Sequence, residues 1–560
     1  MADYKEKLNY WLTSPLFDEE TKAELKAITD EKELEDRFYK DLEFGTGGAR
    51  GIMGAGTNRF NKYNVKIITA GFSKHLLKLD EKLAKEKGVA IAYDSRNHSK
   101  EFAKEAALVF AAYGIPVHLF NIISATPLLS FTVRYLGCAG GLVVTASHNT
   151  KEYNGYKAYD KTGCQLYPTD ADDVIAEVAK VKLEDVKTIS EEKAVSLGLL
   201  KYIGEEVLRV YMDTVKKESH ELSQAAKANL KVVYTPLHGA GNVPVRTVLS
   251  ELGYSNVSVV KEQEEPDGNF PTVVSPNPGE ISALKMAVDL AEGIGADIVV
   301  ASDPDSDRIG MASKGTDGKF VYYSGNQICA LLIDYVLTRR KARLTEKSAL
   351  ITTVVTSEFG SDIARRFGLH VETTLTGFKF IGERETRLHE SGKYHCEFGY
   401  EESNGCMIGD YNREKDSVSA IMLMCEMAAY NKAKGLSVYD KLEELYKDYG
   451  FYLDHLDSFV FTGKDGAEKI KAINAKLRTM GKSLDDDIIE IKDYAPGVDN
   501  LPPSDVLKYW YKDGSWMAIR PSGTEPKIKV YYCIHNDDKA QAEKVLQRIQ
   551  GSLKQVIDSI

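Results

Sequence analysis

The chain has 560 residues, of which 43% are hydrophobic and 28% are charged; this is globular composition, and at about 150 residues per domain it allows three or four domains. The formal net charge is −11, so no overall positive field favours nucleic acid or an anionic membrane. No apolar run is long enough to span a bilayer, and the first residues lack a signal-peptide pattern. The seven cysteines form no Cys-x-x-Cys pair. We therefore expect reduced thiols in a cytoplasmic protein that binds neither nucleic acid nor membrane.

Residues 1–40 are predicted to form a helical N-terminal extension, because they contain no strand pattern. Asp30 and Glu33 suit the start of a helix, and apolar residues recur at roughly helical spacing as far as Phe38. We expect this extension to pack on the main body of the protein.

From about residue 41, strands alternate with helices, which is the pattern of βαβ units around mostly parallel sheets. The predicted strands include 89–93, 117–120, 141–144, 230–234, 257–260 and 297–300. The predicted helices include 99–113, 126–136, 203–219, 280–293, 326–340, 358–367, 379–390 and 416–434. The fold class expected is α/β, with three consecutive mixed domains of similar topology at 41–205, 206–318 and 319–445.

The stretch 446–560 differs from the rest of the chain. Apolar strands, one helix near 466–478 and a hairpin signal at Asp513 and Gly514 precede a long helix over 538–557. This is the pattern of a smaller C-terminal α+β domain. Because no long low-complexity linker separates the segments, we expect all four domains to pack around one central cleft.

Three polar loops, at 145–149, 302–308 and 401–405, each follow a predicted strand. Ligands of open α/β sheets bind beyond the carboxyl ends of the strands, so these loops are where chemistry is expected. Ser147 in the first loop is a candidate nucleophile. The loop lacks the Gly-x-Ser-x-Gly elbow of an α/β-hydrolase, and a serine that merely caps a helix is the alternative.

The second loop contains three aspartates, Asp303, Asp305 and Asp307. Three carboxylates at this spacing can converge, and their mutual repulsion then requires a cation; all-oxygen ligation selects Mg²⁺ or Ca²⁺. An EF-hand is excluded, because Arg308 stands at its glycine position and Lys314 at its glutamate position. A solvated acidic turn is the alternative interpretation.

Two further groups of polar residues point to a phosphorylated sugar. The segment 520–524 combines a guanidinium, two hydroxyls and a glycine amide, which suits binding of a phosphate dianion. The alternative is a hairpin turn that merely carries polar side chains. Glu401 and Ser403 suit adjacent sugar hydroxyls. Lys415 could move a proton if its pKa were lowered, while the alternative for 413–416 is a charged helix start.

In order and spacing, these loops resemble the α-D-phosphohexomutase superfamily. The matching motifs are TASHN at 145–149, DPDSDR at 303–308, GYEES at 399–403 and RPSGT at 520–524. The resemblance covers roughly residues 41–535 and is to the phosphoglucomutase and phosphomannomutase group, in the branch with a helical extension that also contains phosphopentomutases. It implies a phosphoserine loop, a metal loop, a sugar-binding loop and a phosphate-binding loop on four successive domains.

The resemblance also implies residue roles. Ser147 would carry a phosphoryl group, and Asp303, Asp305, Asp307 and an oxygen on Ser147 would hold Mg²⁺. The implied catalytic neighbours are Arg50 and Arg308, with Lys415 as the proton-transferring group and His148 as its alternative. The implied substrate-binding residues are Glu401, Ser403, Thr376, Gly377, Lys379, Arg520, Ser522, Gly523 and Thr524.

The expected activity is phosphoglucomutase, an intramolecular phosphotransfer between glucose 1-phosphate and glucose 6-phosphate. Glucose 1,6-bisphosphate would be both its intermediate and its activator. A phosphomannomutase or phosphopentomutase is the alternative within the family, because the shared loops do not separate these sugars. A metal-dependent phosphosugar phosphatase and a non-catalytic sugar-phosphate sensor are the alternatives from other classes. We expect a small-molecule hexose phosphate as the substrate, and a monomer or small homo-oligomer.

Overall fold

The computed structural model describes residues 4–45, 47–461, 466–521 and 527–560. Its first three helices are α1 (Tyr4–Thr13), α2 (Glu19–Ala27) and α3 (Glu31–Phe38). Their aromatic side chains form a cluster with Tyr63 of the first α/β domain, in which Trp11 and Phe17 stack with ring centroids 4.2 Å apart. The helical extension is therefore packed on the main body, as the sequence predicts.

The first α/β domain contains a six-stranded sheet in the order β1-β5-β4-β2-β3-β6. Strands β2, β3, β4 and β6 are parallel; at one edge β5 pairs antiparallel with β4, and β1 pairs antiparallel with β5. Its elements are β1 (Gly48–Ile52), α4 (Lys62–Lys87), β2 (Val89–Tyr93), α5 (Ser99–Ala112), β3 (Val117–Phe120), α6 (Thr126–Leu136), β4 (Gly140–Val144), β5 (Tyr153–Asp160), α7 (Pro168–Val178), α8 (Glu191–Ser196) and β6 (Leu200–Ile203).

The second α/β domain contains a five-stranded sheet in the order β11-β10-β9-β7-β8. Its elements are α9 (Glu205–Val215), α10 (Gln224–Asn229), β7 (Val232–Thr235), α11 (Asn242–Leu252), β8 (Val257–Val259), α12 (Lys261–Glu264), α13 (Ile281–Ile294), β9 (Ile298–Ser302), β10 (Ile309–Lys314) and β11 (Phe320–Tyr322). Because β11 pairs with β10, this sheet extends past residue 318, where the sequence analysis places a boundary. The domain boundaries as a whole stay predictions.

The third α/β domain contains a four-stranded sheet in the order β13-β12-β14-β15. Its elements are α14 (Gly325–Arg340), β12 (Ser348–Thr353), α15 (Glu358–Arg366), β13 (His370–Thr374), α16 (Phe378–Ser391), β14 (His395–Glu401), β15 (Gly405–Ile408), α17 (Ser417–Lys432) and α18 (Val438–Tyr449).

The C-terminal domain contains a five-stranded antiparallel sheet in the order β16-β20-β19-β18-β17. Its elements are β16 (Phe451–Val460), α19 (Gly466–Met480), β17 (Ile488–Asp493), β18 (Leu507–Tyr511), β19 (Trp516–Pro521), β20 (Lys527–Asn536) and α20 (Lys539–Asp558). Gly514 adopts a φ of 84° in the turn between β18 and β19, which confirms the predicted hairpin. The fold class predicted from the sequence is confirmed.

One topological feature recurs in the three α/β domains. In each, a strand of the parallel core is followed by an antiparallel neighbour: β5 follows β4, β10 follows β9, and β15 follows β14. Each of the three polar loops lies at this reversal, so the chain presents a loop at the carboxyl end of a buried strand three times. The largest apolar core draws residues from all four sheets, including Ala90, Val300, Leu350 and Trp516. Among the described residues, no helix combines the length and hydropathy that a membrane span requires.

The buried ring of Phe38 is predicted to be required for docking of the helical extension. It is fully buried between Trp11 and the first α/β domain, so Phe38→Ala should cost about 3–5 kcal/mol through lost burial and a cavity. Limited proteolysis should then cleave residues 4–40 faster than in the wild type. Tyr39→Ala is the matched control, because Tyr39 is 52% exposed. Equal protection of both variants would contradict this account of the packing.

Candidate active site

Ser147 occupies a strained position just beyond β4. Its φ is 52°, in the left-handed region that non-glycine residues rarely adopt, and its side chain is buried. The Ser147 N–H donates to Thr145 Oγ1 at 2.8 Å, which helps to hold this conformation. The Ser147 hydroxyl donates to Asp303 Oδ2 at 2.9 Å and lies 3.1 Å from His148 Nδ1. The structure thus brings the predicted nucleophile of the first domain to the acidic loop of the second.

Asp303, Asp305 and Asp307 form a buried acidic cluster, in which one oxygen of each carboxylate lies within 4.8 Å of the others. Asp303 Oδ1 accepts the backbone N–H of Asp307 at 3.0 Å and that of Arg308 at 2.9 Å, so the turn is built around this carboxylate. Burial and the charges of the two neighbouring aspartates raise the pKa of Asp303 well above its ordinary value.

Two oxygens of this cluster, Asp305 Oδ1 and Asp307 Oδ1, are buried without a hydrogen-bond partner in the described part of the chain. A buried carboxylate oxygen without a partner is costly unless a cation or donor approaches it. Three converging carboxylates with unpartnered oxygens fit a hard divalent cation. A solvated acidic turn is not what the structure contains, because all three carboxylates are almost completely buried.

The sequence analysis missed Lys157, which lies on β5. Its Nζ is 2.9 Å from Asp305 Oδ2 and 3.3 Å from Asp307 Oδ2. Although burial alone would raise the pKa of Asp305, the Lys157 ammonium holds it below its ordinary value. The sequence could have pointed to Lys157, because it is a lysine in a strand, 153–160, whose other residues are mostly aromatic or small.

The guanidinium groups around Ser147 come from two loops and from strand β1. Arg308 donates through Nη1 to the Ser403 carbonyl at 3.0 Å, so it joins the acidic loop to the sugar-side loop. Arg50 donates through Nη1 to Asn149 Oδ1 at 2.8 Å, beside the serine. Arg96, which the sequence analysis also missed, donates to the carbonyls of Ser147 and Asn149. Arg96 could have been found from the sequence, because it lies in another polar loop that follows a buried strand, β2.

Lys415 connects the second and third domains. Its Nζ lies 3.4 Å from both Asp307 Oδ2 and Glu401 Oε1, and 3.7 Å from Glu414 Oε1. Gly405 allows this approach, since a Cβ there would lie 1.9 Å from Lys415 Cδ. Burial disfavours the ammonium, but the three carboxylates outweigh burial and raise the pKa of Lys415. The lowered pKa that was the condition for proton transfer by Lys415 is not met in this structure. Residues 413–416 precede α17, and they also bring Lys415 to the acidic cluster.

His148 has the opposite electrostatic environment. Burial, followed by the positive charges of Arg308 and Arg50, lowers the pKa of His148 to about 2. The imidazole next to Ser147 is therefore neutral, whereas Lys415 keeps its proton. The catalytic roles of both residues stay predictions.

The residues predicted to bind the sugar, and called sugar-side for that reason, lie along the third domain. Glu401 is buried and accepts the Ser403 hydroxyl through Oε1 at 2.6 Å. Thr376 and Gly377 precede α16, and Gly377 has a φ of 120° that a side chain would disfavour. Burial, helped by the nearby charge of Arg520, lowers the pKa of Lys379 to about 8.

Arg520 lies on β19 of the C-terminal sheet. Burial and Glu401 raise the pKa of Glu402 to about 6, against the influence of the Arg520 charge, so that charge is near the loop at 401–405. The remaining residues of the predicted phosphate loop, Ser522, Gly523 and Thr524, lie outside the described residues. Their assignment stays a prediction.

Family models match the chain in four consecutive pieces. They are described as phosphoglucomutase/phosphomannomutase α/β/α domains I, II and III, at residues 41–185, 209–317 and 324–449, and as the C-terminal domain, at residues 461–551.

Curated proteins similar to this chain are named as mutases. A phosphoglucomutase of Staphylococcus haemolyticus is 33% identical over 91% of this chain and 93% of its own length. A phosphoglucomutase of Staphylococcus epidermidis is 34% identical over 91% and 94%. A phosphopentomutase of Pongo abelii is 33% identical over 95% and 92%.

Solved structures share the fold. Parafusin, a phosphoglucomutase from Paramecium in an open form, has a TM-score of 0.71 at 19% identity, over 93% of this chain and 96% of its own. A phosphoglucomutase/phosphomannomutase family protein from Burkholderia thailandensis has a TM-score of 0.69 at 20% identity, over 92% and 97%.

Removing one carboxylate charge from the acidic cluster should weaken divalent metal binding. Asp305→Asn keeps the shape of the side chain and takes away one anionic ligand, so we expect Mn²⁺ affinity to fall about 100-fold or more. Electron paramagnetic resonance of free Mn²⁺ during titration measures this without any activity assay. Asp317→Asn, in the exposed turn before β11, is the control. Unchanged affinity of the Asp305 variant would show that the cluster does not hold the metal.

Proposed function

The chain belongs to the phosphoglucomutase/phosphomannomutase family, and from that premise we propose that it interconverts glucose 1-phosphate and glucose 6-phosphate. The observation that carries this proposal is a continuous polar network across three domains. Ser147 contacts Asp303, and Arg308 and Lys415 link the acidic cluster to the sugar-side loop. A phosphoryl carrier and a sugar-binding surface therefore share one site.

The reaction proceeds in two transfers through Ser147. In the first, a free hydroxyl of the sugar monophosphate gives up its proton and attacks the phosphorus of phosphorylated Ser147; a sugar P–O bond forms, the serine P–O bond breaks, and Ser147 Oγ takes up a proton as it leaves. In the second, Ser147 Oγ gives up that proton and attacks the other phosphate of the bisphosphate; the serine P–O bond forms, the sugar P–O bond breaks, and the sugar oxygen is protonated, which leaves an isomeric monophosphate and a phosphoserine. The serine is thus regenerated in its phosphorylated form each cycle.

Asp303, Asp305 and Asp307, with an oxygen on Ser147, would hold Mg²⁺, which supplies charge neutralisation for phosphoryl transfer. The side chains around the cluster extend this electrostatic stabilisation. Lys157 lies against two of the aspartates, and Arg308 lies beside them. Because these groups are buried and already in place, they need little reorganisation as charge moves.

The proton transfers are assigned to Lys415, with His148 as the alternative, on position. Lys415 Nζ lies 3.4 Å from both Asp307 Oδ2 and Glu401 Oε1, between the acidic cluster and the predicted sugar-binding loop, and its raised pKa keeps the proton on it but makes it a weaker acid. His148 Nδ1 lies 3.1 Å from Ser147 Oγ, and its imidazole is neutral and so can accept a proton there. Arg520 is proposed to hold the phosphate that is not reacting.

A pentose phosphate is the second candidate substrate. The observation in its favour is the phosphopentomutase of Pongo abelii, whose match covers 95% of this chain. We propose the cytoplasm as the location, and the seven cysteines, all unpaired and buried, are in keeping with it. Whether the protein is a monomer or a small homo-oligomer stays a prediction.

Ser147→Ala should abolish isomerisation, because no other group in the proposed mechanism carries the phosphoryl group between the two transfers. Mass spectrometry of active wild-type protein should place one phosphate on the peptide that contains Ser147. Ser250→Ala is the control, since Ser250 is exposed on α11. Near-normal turnover of Ser147→Ala would refute the assignment of the nucleophile.

A substrate panel separates the proposed function from its alternatives. Dephosphorylated wild-type protein with Mg²⁺ should be inactive on glucose 1-phosphate until a trace of glucose 1,6-bisphosphate is added, since bare Ser147 must first be phosphorylated. Turnover should then favour glucose over mannose and pentose 1-phosphates. A preference for ribose 1-phosphate would establish the phosphopentomutase instead. Release of inorganic phosphate without an isomer would indicate a phosphatase, and binding without turnover would indicate a sensor.

A further inference from the structure

The C-terminal sheet contacts the third α/β domain at several places, and two of them lie three strands apart in the sheet. The first is where the chain crosses between them: β16 begins directly after α18 and Gly450. There Tyr452 stacks on Phe359 of α15, with ring centroids 4.8 Å apart and planes 15° apart, and its hydroxyl donates to Asp362 of the same helix. This contact holds the edge strand β16 against α15, close to the point where a rotation between the domains would turn.

The second attachment is Lys508 on β18. This residue is only 3% exposed, although lysine is rarely buried. Its Nζ donates to the backbone carbonyl of Val354, just after β12, at 2.9 Å, and lies 3.8 Å from Glu358 Oε1. The ammonium also lies 3.9 Å from the ring centroid of Trp516 and 4.4 Å from that of Trp510.

These contacts are specific in direction. A buried ammonium is costly unless hydrogen bonds and charge offset the lost hydration, so it is stable here only while the Val354 carbonyl stays in place. The indole faces add cation–π attraction, and burial lowers the pKa of Lys508 to about 8, which leaves it charged at neutral pH. The contact therefore fixes the distance between β18 and the segment after β12, three strands from the Tyr452 contact.

The order of the strands in the C-terminal sheet links the Lys508 contact to the position of Arg520. Strand β18 lies three positions from β16 in the sheet, about 14 Å at the usual strand spacing. Lys508 is directly opposite Ala518 on β19, and Arg520 is two residues farther along the same strand, so both side chains project from one face of the sheet. A rotation about the stack at β16 would separate Lys508 from Val354 and move Arg520 with it.

The other side of the contact reaches the sugar-binding surface. The Val354 N–H donates to the Thr374 carbonyl at 2.9 Å, two residues before Thr376. The Thr356 hydroxyl, two residues after Val354, donates to Glu402 Oε2 at 3.0 Å. The segment that receives Lys508 is thus hydrogen-bonded to both predicted sugar-side loops.

We propose that Lys508 is a positioning residue for the mutase reaction: its contact with Val354 fixes the angle of the C-terminal sheet and holds Arg520 opposite the sugar-side loops while the bisphosphate intermediate turns. This inference rests on the proposed function. Lys508 touches no substrate in this role. Its loss would let the phosphate-binding edge swing away and release the intermediate before the second transfer.

The kinetic test compares Lys508→Ala and Lys508→Arg, the latter keeping a charged donor. Lys512→Ala is the control, because Lys512 is an exposed lysine of the same domain, paired with Asp487. Phosphorylated enzyme is given glucose 1-phosphate, and the free bisphosphate released per isomerisation is counted. We expect release and KM to rise about fivefold in Lys508→Ala, the effect of truncating an interface residue that contributes substantially. Lys508→Arg should restore most of the wild-type behaviour.

A second measurement does not depend on activity. Cys533 lies on β20, two strands or about 10 Å from Lys508, and its Sγ is 3.5 Å from the Ser357 hydroxyl across the same interface. Alkylation of Cys533 by N-ethylmaleimide, mapped by mass spectrometry, should be about fivefold faster in Lys508→Ala. Cys138, buried in the first domain, is the internal reference and should not change.

The outcomes separate the two proposals. A wild type without isomerase activity would refute the proposed function, while the alkylation comparison would still decide whether Lys508 fixes the interface. A folded Lys508→Ala variant with wild-type release, KM and Cys533 alkylation would overturn the inference. A lower melting temperature with unchanged release and unchanged alkylation would also overturn it, because it would show a role in stability alone.

Discussion

The need to bury three carboxylates at one point is the constraint on which the rest of the site depends. Asp303, Asp305 and Asp307 repel one another, and burial strengthens that repulsion. The positive groups that offset it come from different domains: Lys157 from the first and Lys415 from the third. The charge requirement therefore connects domains that are far apart in the chain. A divalent cation would complete a balance that these ammonium groups meet only in part.

The chain presents its functional groups by repeating one backbone arrangement. A buried parallel strand ends, a polar loop follows, and an antiparallel strand returns the chain to the sheet. The loops are short and tied at both ends, so their side chains have little freedom to move. Ser147 shows the cost of this arrangement, because its left-handed backbone is tolerated only where neighbouring hydrogen bonds maintain it.

How much of the site could be predicted depended on where the information lies. Ser147 and the aspartates are recognisable because loop chemistry is local in the sequence and the periodicity of the flanking strands locates the loop. Lys157 was missed because its function depends on the antiparallel register of β5, which a single strand does not reveal. The direction of the Lys415 pKa shift could not be predicted from the sequence either, because it depends on carboxylates brought together from two domains. Arg96 could have been found by the same reasoning as the other loops.

The proposed mutase mechanism places opposite demands on the two halves of the site. Phosphoryl transfer needs Ser147 and the acidic cluster held rigidly, and the interlocked contacts of the first three domains meet that demand. Reorientation of the bisphosphate needs a phosphate-binding edge that retains the intermediate yet permits it to turn. A separate antiparallel sheet, whose contacts with the third domain include an aromatic stack at one edge strand and a buried lysine three strands away, is suited to that task. The buried ammonium loses hydration on docking and regains it on undocking, so the contact is directional without being irreversible.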